Sequence, residues 1–241
     1  DKKDWKGFLL NDLDYYSKMA DKMDQGGFQM NTHCIGDSAV WAILAVYGSN
    51  PKMFGDIDGK VFKEINKKRR WRIEHAKVVD KKHLEYFKDL SVIPSIQSTH
   101  ATSDMYWAKD RLGEERVKTA YAYKDLLNAV GVVALGTDFP VEDISPFKTF
   151  FAAVARQDSK GWPDGGFQIE NALSREETLR GMTIWAAYSN FEEKVKGSLE
   201  KGKSADLIIL DTDIMKCKIA DVLKTKVLST YINGEKVFEL K

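Results

Sequence analysis

Phe28-Gln-Met-Asn-Thr-His33, Trp71-Arg-Ile-Glu-His75 and Val132-Val-Ala-Leu-Gly-Thr-Asp138 decide the fold. Each is a short strand-like run ending on a side chain able to bind a metal. Two imidazoles and a carboxylate closing successive strands are what a metal site on the C-terminal face of a (β/α) barrel requires, since the chemistry of that fold sits on the loops after its strands.

Outward from these runs, strands alternate with helical patterns. Leu10 to Gln25 carries apolar residues at helical spacing and is closed by Gly26-Gly27. Asp37 is placed to cap a helix through Ala39 to Val46, ended by Gly48 and Pro51. The basic stretch Lys67 to Arg70 leads into the strand of His75. Asp80 caps a predicted short helix to Lys88, and Val92 to Gln97 reads as the next strand. A polar loop is predicted next, then a helix over Glu114 to Val130 stopped by Gly131. Pro146 to Arg156 is predicted helical, and Ser174-Arg-Glu-Glu177 is a capping box for a helix to Ala187. This rhythm is that of parallel strands joined by crossover helices.

From Gly197 the character changes. Ala205-Asp-Leu-Ile-Ile-Leu210 predicts a strand, and Val227–Ile232 and Glu235–Glu239 flank Asn233-Gly234, a strong hairpin signal. A complete barrel needs about 250 residues, whereas residues 1–192 hold only four good strands. The expected fold is therefore α/β: a partial (β/α) barrel over 1–192, with strands of a small β-sandwich over 193–241.

Composition excludes more than it assigns. Thirty-seven basic residues against 36 acidic ones leave a net charge of +1, which gives neither a nucleic-acid footprint nor a polybasic membrane patch. No apolar run approaches the ~20 residues of a membrane span. Cys34 and Cys217 cannot form a disulfide framework, and free thiols fit a reducing, cytoplasmic location. The opening residues Asp1-Lys-Lys-Asp-Trp have neither an initiator Met nor an apolar leader, so the chain is expected to be processed or truncated.

Four motifs in order, His33-Cys-Ile-Gly-Asp-Ser-Ala, Arg72-Ile-Glu-His75, Thr99-His-Ala-Thr-Ser-Asp-Met-Tyr-Trp107 and Gly136-Thr-Asp-Phe-Pro-Val141, resemble the amidohydrolase superfamily, and more narrowly its amidohydrolase-3 group of metal-dependent hydrolases. Lys196 to Leu210 is similar to that superfamily's return strand into its β-sandwich. The resemblance implies that His33 and His75, ending barrel strands five and six, are metal ligands. It implies that Asp138, ending strand eight, contacts metal and shuttles protons. His100 and Asp104, after strand seven, become candidates for substrate contact. A divalent metal, zinc foremost, is the implied cofactor, since imidazole and carboxylate are ordinary zinc ligands; iron, nickel and manganese also suit them.

The family's strand-one His-x-His pair has no counterpart here, and no strand-four bridging ligand precedes residue 28. The chain is thus expected to be the C-terminal half of such an enzyme, associating with itself or with the missing N-terminal half. The implied function is hydrolysis of non-peptide, amide-like C–N bonds in a small molecule through a metal-activated water, by an incomplete fragment. The alternative is a catalytically inactive remnant acting as a binding or scaffold module.

Other residues have plainer expected roles. Asp37 is a helix cap, Glu74 pairs with Arg72 or Arg70, and His83 faces solvent. Trp107, Tyr121, Tyr123, Phe150 and Phe151 are core. Strand alternation turns Cys34 away from His33.

Overall fold

A computed structural model describes residues 7–48 and 59–241. The Pro51 helix stop and the opening pentapeptide lie outside these residues. The chain divides into two compact units, one of residues up to 96 with 107–133, the other of 97–106 with 134–241.

In the first unit, α1 (Leu13–Gln25) is capped by Asp12, whose carboxylate accepts from the Tyr15 N–H at 2.7 Å. β1 (Asn31–Cys34), α2 (Asp37–Gly48), α3 (Gly59–Arg69), β2 (Arg72–His75), α4 (Leu84–Asp89) and β3 (Ile93–Ile96) follow. β1 pairs in parallel with β2, Thr32 opposite Ile73 and Cys34 opposite His75; β2 pairs in parallel with β3, Ile73 opposite Pro94. This is the predicted parallel sheet with helical crossovers. Its side chains are buried at Ile73, Ile93 and Ile96.

Two polar anchors fix this sheet. The buried Tyr47 hydroxyl of α2 donates to the Arg72 carbonyl at 3.0 Å and lies 2.8 Å from Thr32 Oγ1, tying β1 to β2. Arg69, at the end of the basic stretch, meets Asp24 through two short bonds, Nε to Oδ1 at 2.6 Å and a terminal nitrogen to Oδ2 at 2.7 Å. Both side chains are largely buried, 7% and 13% exposed, so the bidentate geometry offsets the cost of desolvating the charges.

The predicted polar loop after β3 is instead α5 (Ser98–Arg116), with a non-helical Gly113 near its end. The predicted helix over Glu114 to Val130 is broken: a 3₁₀ turn over Val117–Thr119 and a left-handed Tyr121 precede α6 (Tyr123–Val130). The break serves backbone pairing, because the Tyr121 N–H donates to the Lys77 carbonyl and Val78 bridges Ala120. Gly131, in the left-handed region at φ +84°, ends α6 as predicted.

Two further expectations are corrected. His83 is buried, with its ring stacked on Trp41 at 4.7 Å. Its position between the predicted cap Asp80 and α4 turns it inward despite its charged neighbours. Trp107 is exposed, while Tyr121, Tyr123, Phe150 and Phe151 are buried as expected. In α5, Ala101, Met105 and Ala108 fill the buried stripe, and Trp107 falls on the opposite face.

In the second unit, β4 is only two residues long (Ala134–Leu135). α7 (Pro146–Ala155) has Pro at its first position. α8 (Arg175–Met182) begins with the predicted capping box, Ser174 and Glu177 bonded reciprocally at 2.8 and 3.1 Å. α9 (Ile184–Ser189) follows after a break at Thr183. The tail forms a separate antiparallel sheet of β5 (Leu207–Leu210), β6 (Val227–Ile232) and β7 (Glu235–Glu239), joined through the Asn233-Gly234 turn.

Candidate metal centre

His33 and His75 come together at the carboxyl ends of adjacent parallel strands. Their rings meet edge to face, with centroids 4.3 Å apart and planes at 71°. The strand alternation of β1 leaves His33 exposed and buries Cys34. The Cys34 thiol is pushed up to about 12 by burial, so it stays protonated at neutral pH and is a poor soft ligand. That agrees with its predicted exclusion.

His75 keeps the alternation of β2 and is buried, like Ile73. In register it sits opposite Cys34, not His33. Its φ of +74°, followed by +41° at Ala76, lies in the left-handed region. A non-glycine residue held there costs about 1–3 kcal/mol, and such outliers cluster at functional sites. Glu74 is engaged elsewhere, its carboxylate 3.0 Å from Arg72 Nε, as expected.

The second unit supplies its own pair. His100, in the first turn of α5, is almost wholly buried, and its Nε2 lies 3.3 Å from Asp138 Oδ2. The α5 start is held by Ser98, whose hydroxyl donates to the Thr149 carbonyl at 2.6 Å. Asp138 follows the short β4 in the left-handed region, φ +61°. Its carbonyl accepts from the Val141 N–H at 2.8 Å, so the turn is closed immediately after it. Asp tolerates this backbone better than most residues. Asp104, one helical turn beyond His100, is half-buried. Asp37 opens α2, accepts from the Ser38 N–H at 2.9 Å, and is bonded by Arg116 at 3.0 Å. It is thus the first residue of α2 itself, not the predicted cap before it.

The second unit also holds a cavity of about 250 Å³ that sequence reading missed. Thr99, Ser103 and Tyr106 of α5 line it, with Glu142, Lys148 and Asp158 among the facing residues. The signal was present: Thr99, Thr102, Ser103 and Tyr106 recur at helical spacing, but only once the segment is recognised as a helix.

Comparison with known proteins gives the family. Residues 6–238 match the sequence model of the amidohydrolase family. This chain belongs to the amidohydrolase family. It is 34% identical over 233 residues to Protein LONG AFTER FAR-RED 3 of Arabidopsis thaliana, covering 96% of this chain and 38% of that protein. It is 26% identical over 229 residues to N-substituted formamide deformylase of Arthrobacter pascens, covering 91% and 39% respectively. Among solved structures, an uncharacterized metal-dependent hydrolase from Pyrococcus horikoshii matches with TM-score 0.74 and 31% identity, over 90% of this chain and 40% of that one. The amidohydrolase chain thus spans about two fifths of the length of the relatives it matches. No described helix is long and apolar enough to cross a membrane.

Proposed function

We propose that this chain supplies His33, His75 and Asp138 as metal ligands of a metal-dependent hydrolase acting on amide-like C–N bonds of a small molecule. The observation that carries the reading is the contact of the His33 and His75 rings, 4.3 Å between centroids, at the ends of adjacent parallel strands. Two neutral imidazoles and a carboxylate match the donor set of a catalytic zinc site that keeps one position open. Zinc is the foremost candidate, and the relative named as a metal-dependent hydrolase supports a divalent ion in general terms.

His33, His75 and Asp138 would hold a divalent ion, which would supply activation of water and polarisation of the scissile carbonyl. Asp138 would take a proton from the attacking water and deliver it to the leaving nitrogen. A C–O bond forms, the C–N bond breaks, and the products are a carboxylic acid and an amine. His100, at 3.3 Å, orients the Asp138 carboxylate, and both it and Asp104, one turn further along α5, are proposed to reach substrate. His75 and Asp138 both have left-handed backbone, of the kind that clusters at functional sites.

In this reading residues 1–192 are the strand-five-to-eight part of a (β/α) barrel and 193–241 belong to a composite β-sandwich. The match to about two fifths of each relative supports a further segment, or a second copy, completing the barrel. The test is metal content per chain after dialysis, by plasma mass spectrometry, in the wild type and in His33→Ala/His75→Ala. About one equivalent, lost in the variant, is expected. Metal-free wild type, or metal retained by the variant, overturns the assignment.

A further inference from the structure

The cavity of the second unit is lined by more acid than base: Glu142, Asp143 and Asp158 against Lys148. Lys148 is committed to Asp143, its Nζ 2.6 Å from Oδ2. Glu142 and Asp158 form no ion pair among the described residues. Their bonds come from neutral hydroxyls, Ser103 Oγ donating to Glu142 at 2.6 Å and Tyr106 Oη to Asp158 at 2.5 Å. Each carboxylate keeps acceptor capacity.

Two further observations point to a ligand. Thr99, a lining residue of the cavity, is only 7% exposed, yet its side-chain hydroxyl has no hydrogen-bond partner among the described residues. A buried hydroxyl left unmatched is costly unless something else bonds it. Tyr106 supplies an aromatic wall, stacked on Trp162 at 5.0 Å between centroids, and such a face attracts a cation. Burial works to raise the Asp158 carboxyl, but hydrogen bonds from Tyr106 and from the backbone of Trp162 and Lys160 outweigh it and hold it below the usual carboxylate range. Its negative charge is therefore fixed at neutral pH.

The cavity borders the His100–Asp138 pair along the chain. Thr99 precedes His100, and the Glu142 N–H approaches the Asp138 carbonyl at 3.4 Å. We propose that it receives the ammonium or guanidinium end of an amine-bearing amide substrate, with Glu142, Asp158 and Thr99 as acceptors and Tyr106 as the aromatic wall. The substrate assignment rests on the hydrolase reading, whereas cation binding stands on the cavity itself. About 250 Å³ is below the size of a drug-sized ligand pocket and suits a head group with a short stem.

The test is saturation-transfer NMR and calorimetry on the full chain with butylammonium, against butyrate and butanol as size-matched controls. Butylammonium is expected to bind saturably at one site, and the controls are not. Glu142→Gln and Asp158→Asn should each weaken it about tenfold, the loss of one charge-assisted bond. Asp158 also caps the turn at Lys160 and Trp162, so Glu142→Gln decides the matter if Asp158→Asn misfolds. Equal binding of butanol or butyrate, no saturable binding, or full affinity in Glu142→Gln would overturn the proposal. In His33→Ala/His75→Ala butylammonium affinity should be unchanged while metal content falls. A failed metal site and a failed cation site are thereby read separately.

Discussion

The His33–His75 pair and the His100–Asp138 pair are built by different means. The first stands on three parallel strands whose register is set by a backbone ladder and pinned by Tyr47. The second stands on the first turn of a helix and on a left-handed turn after a two-residue strand. Ladder-built positions inherit their precision from many shared bonds. Turn-built positions depend on a few local ones, such as the Asp138 carbonyl bonded by Val141.

That contrast can be broken by substitutions graded from strong to weak. Ile73→Ala empties a fully buried position of β2 and should cost about 2–5 kcal/mol in urea unfolding. The His75 imidazole signals should shift in NMR while those of His100 stay put; the reverse would show that the ladder does not set the first pair. Arg69→Met leaves Asp24 buried and unpaired, with an expected loss of about 3–5 kcal/mol. The double variant Asp24→Leu/Arg69→Met should recover most of it, and failure to recover would mean that the pair acts through more than its charges. In the second unit, Ser174→Ala removes the capping box of α8 and should cost about 1 kcal/mol.

The smallest effect is one of pH. Burial holds the His83 imidazole below its ordinary 6.5, with Lys82 pushing the same way and Asp80 and Asp37 opposing. The unfolded chain then binds this proton more readily, so its contribution to stability is complete above the ordinary pKa and is lost as pH falls towards the depressed folded value. His83→Phe keeps a ring on Trp41 without the titration, and its urea midpoint should fall less than the wild type's on acidification. An identical fall in both proteins would remove His83 from the account.

The same contrast governs what was legible in the sequence. β2 ends on His75 as its apolar run predicts and β1 runs one residue past His33 to Cys34, while the Asn233-Gly234 hairpin and Ser174 capping box carry their signals in a few adjacent residues. α5 was not legible, because Ser98 to Arg116 is polar on most of its surface and its buried stripe consists of small residues and one Met. The cavity on its other face was hidden with it. Nor did the sequence show the left-handed backbone of His75, since nothing in the residue type demands φ above zero there. His83 was misread because its charged neighbours outweighed the stacking surface that Trp41 offers 42 positions earlier.

A zinc titration of the chain, followed by the imidazole NMR signals of its four histidines, tests the proposed ligands directly. His33 and His75 should shift together and stop shifting near one equivalent of zinc, with His83 unaffected. Zinc that leaves His33 and His75 unmoved, or that moves only one of them, would contradict the assignment.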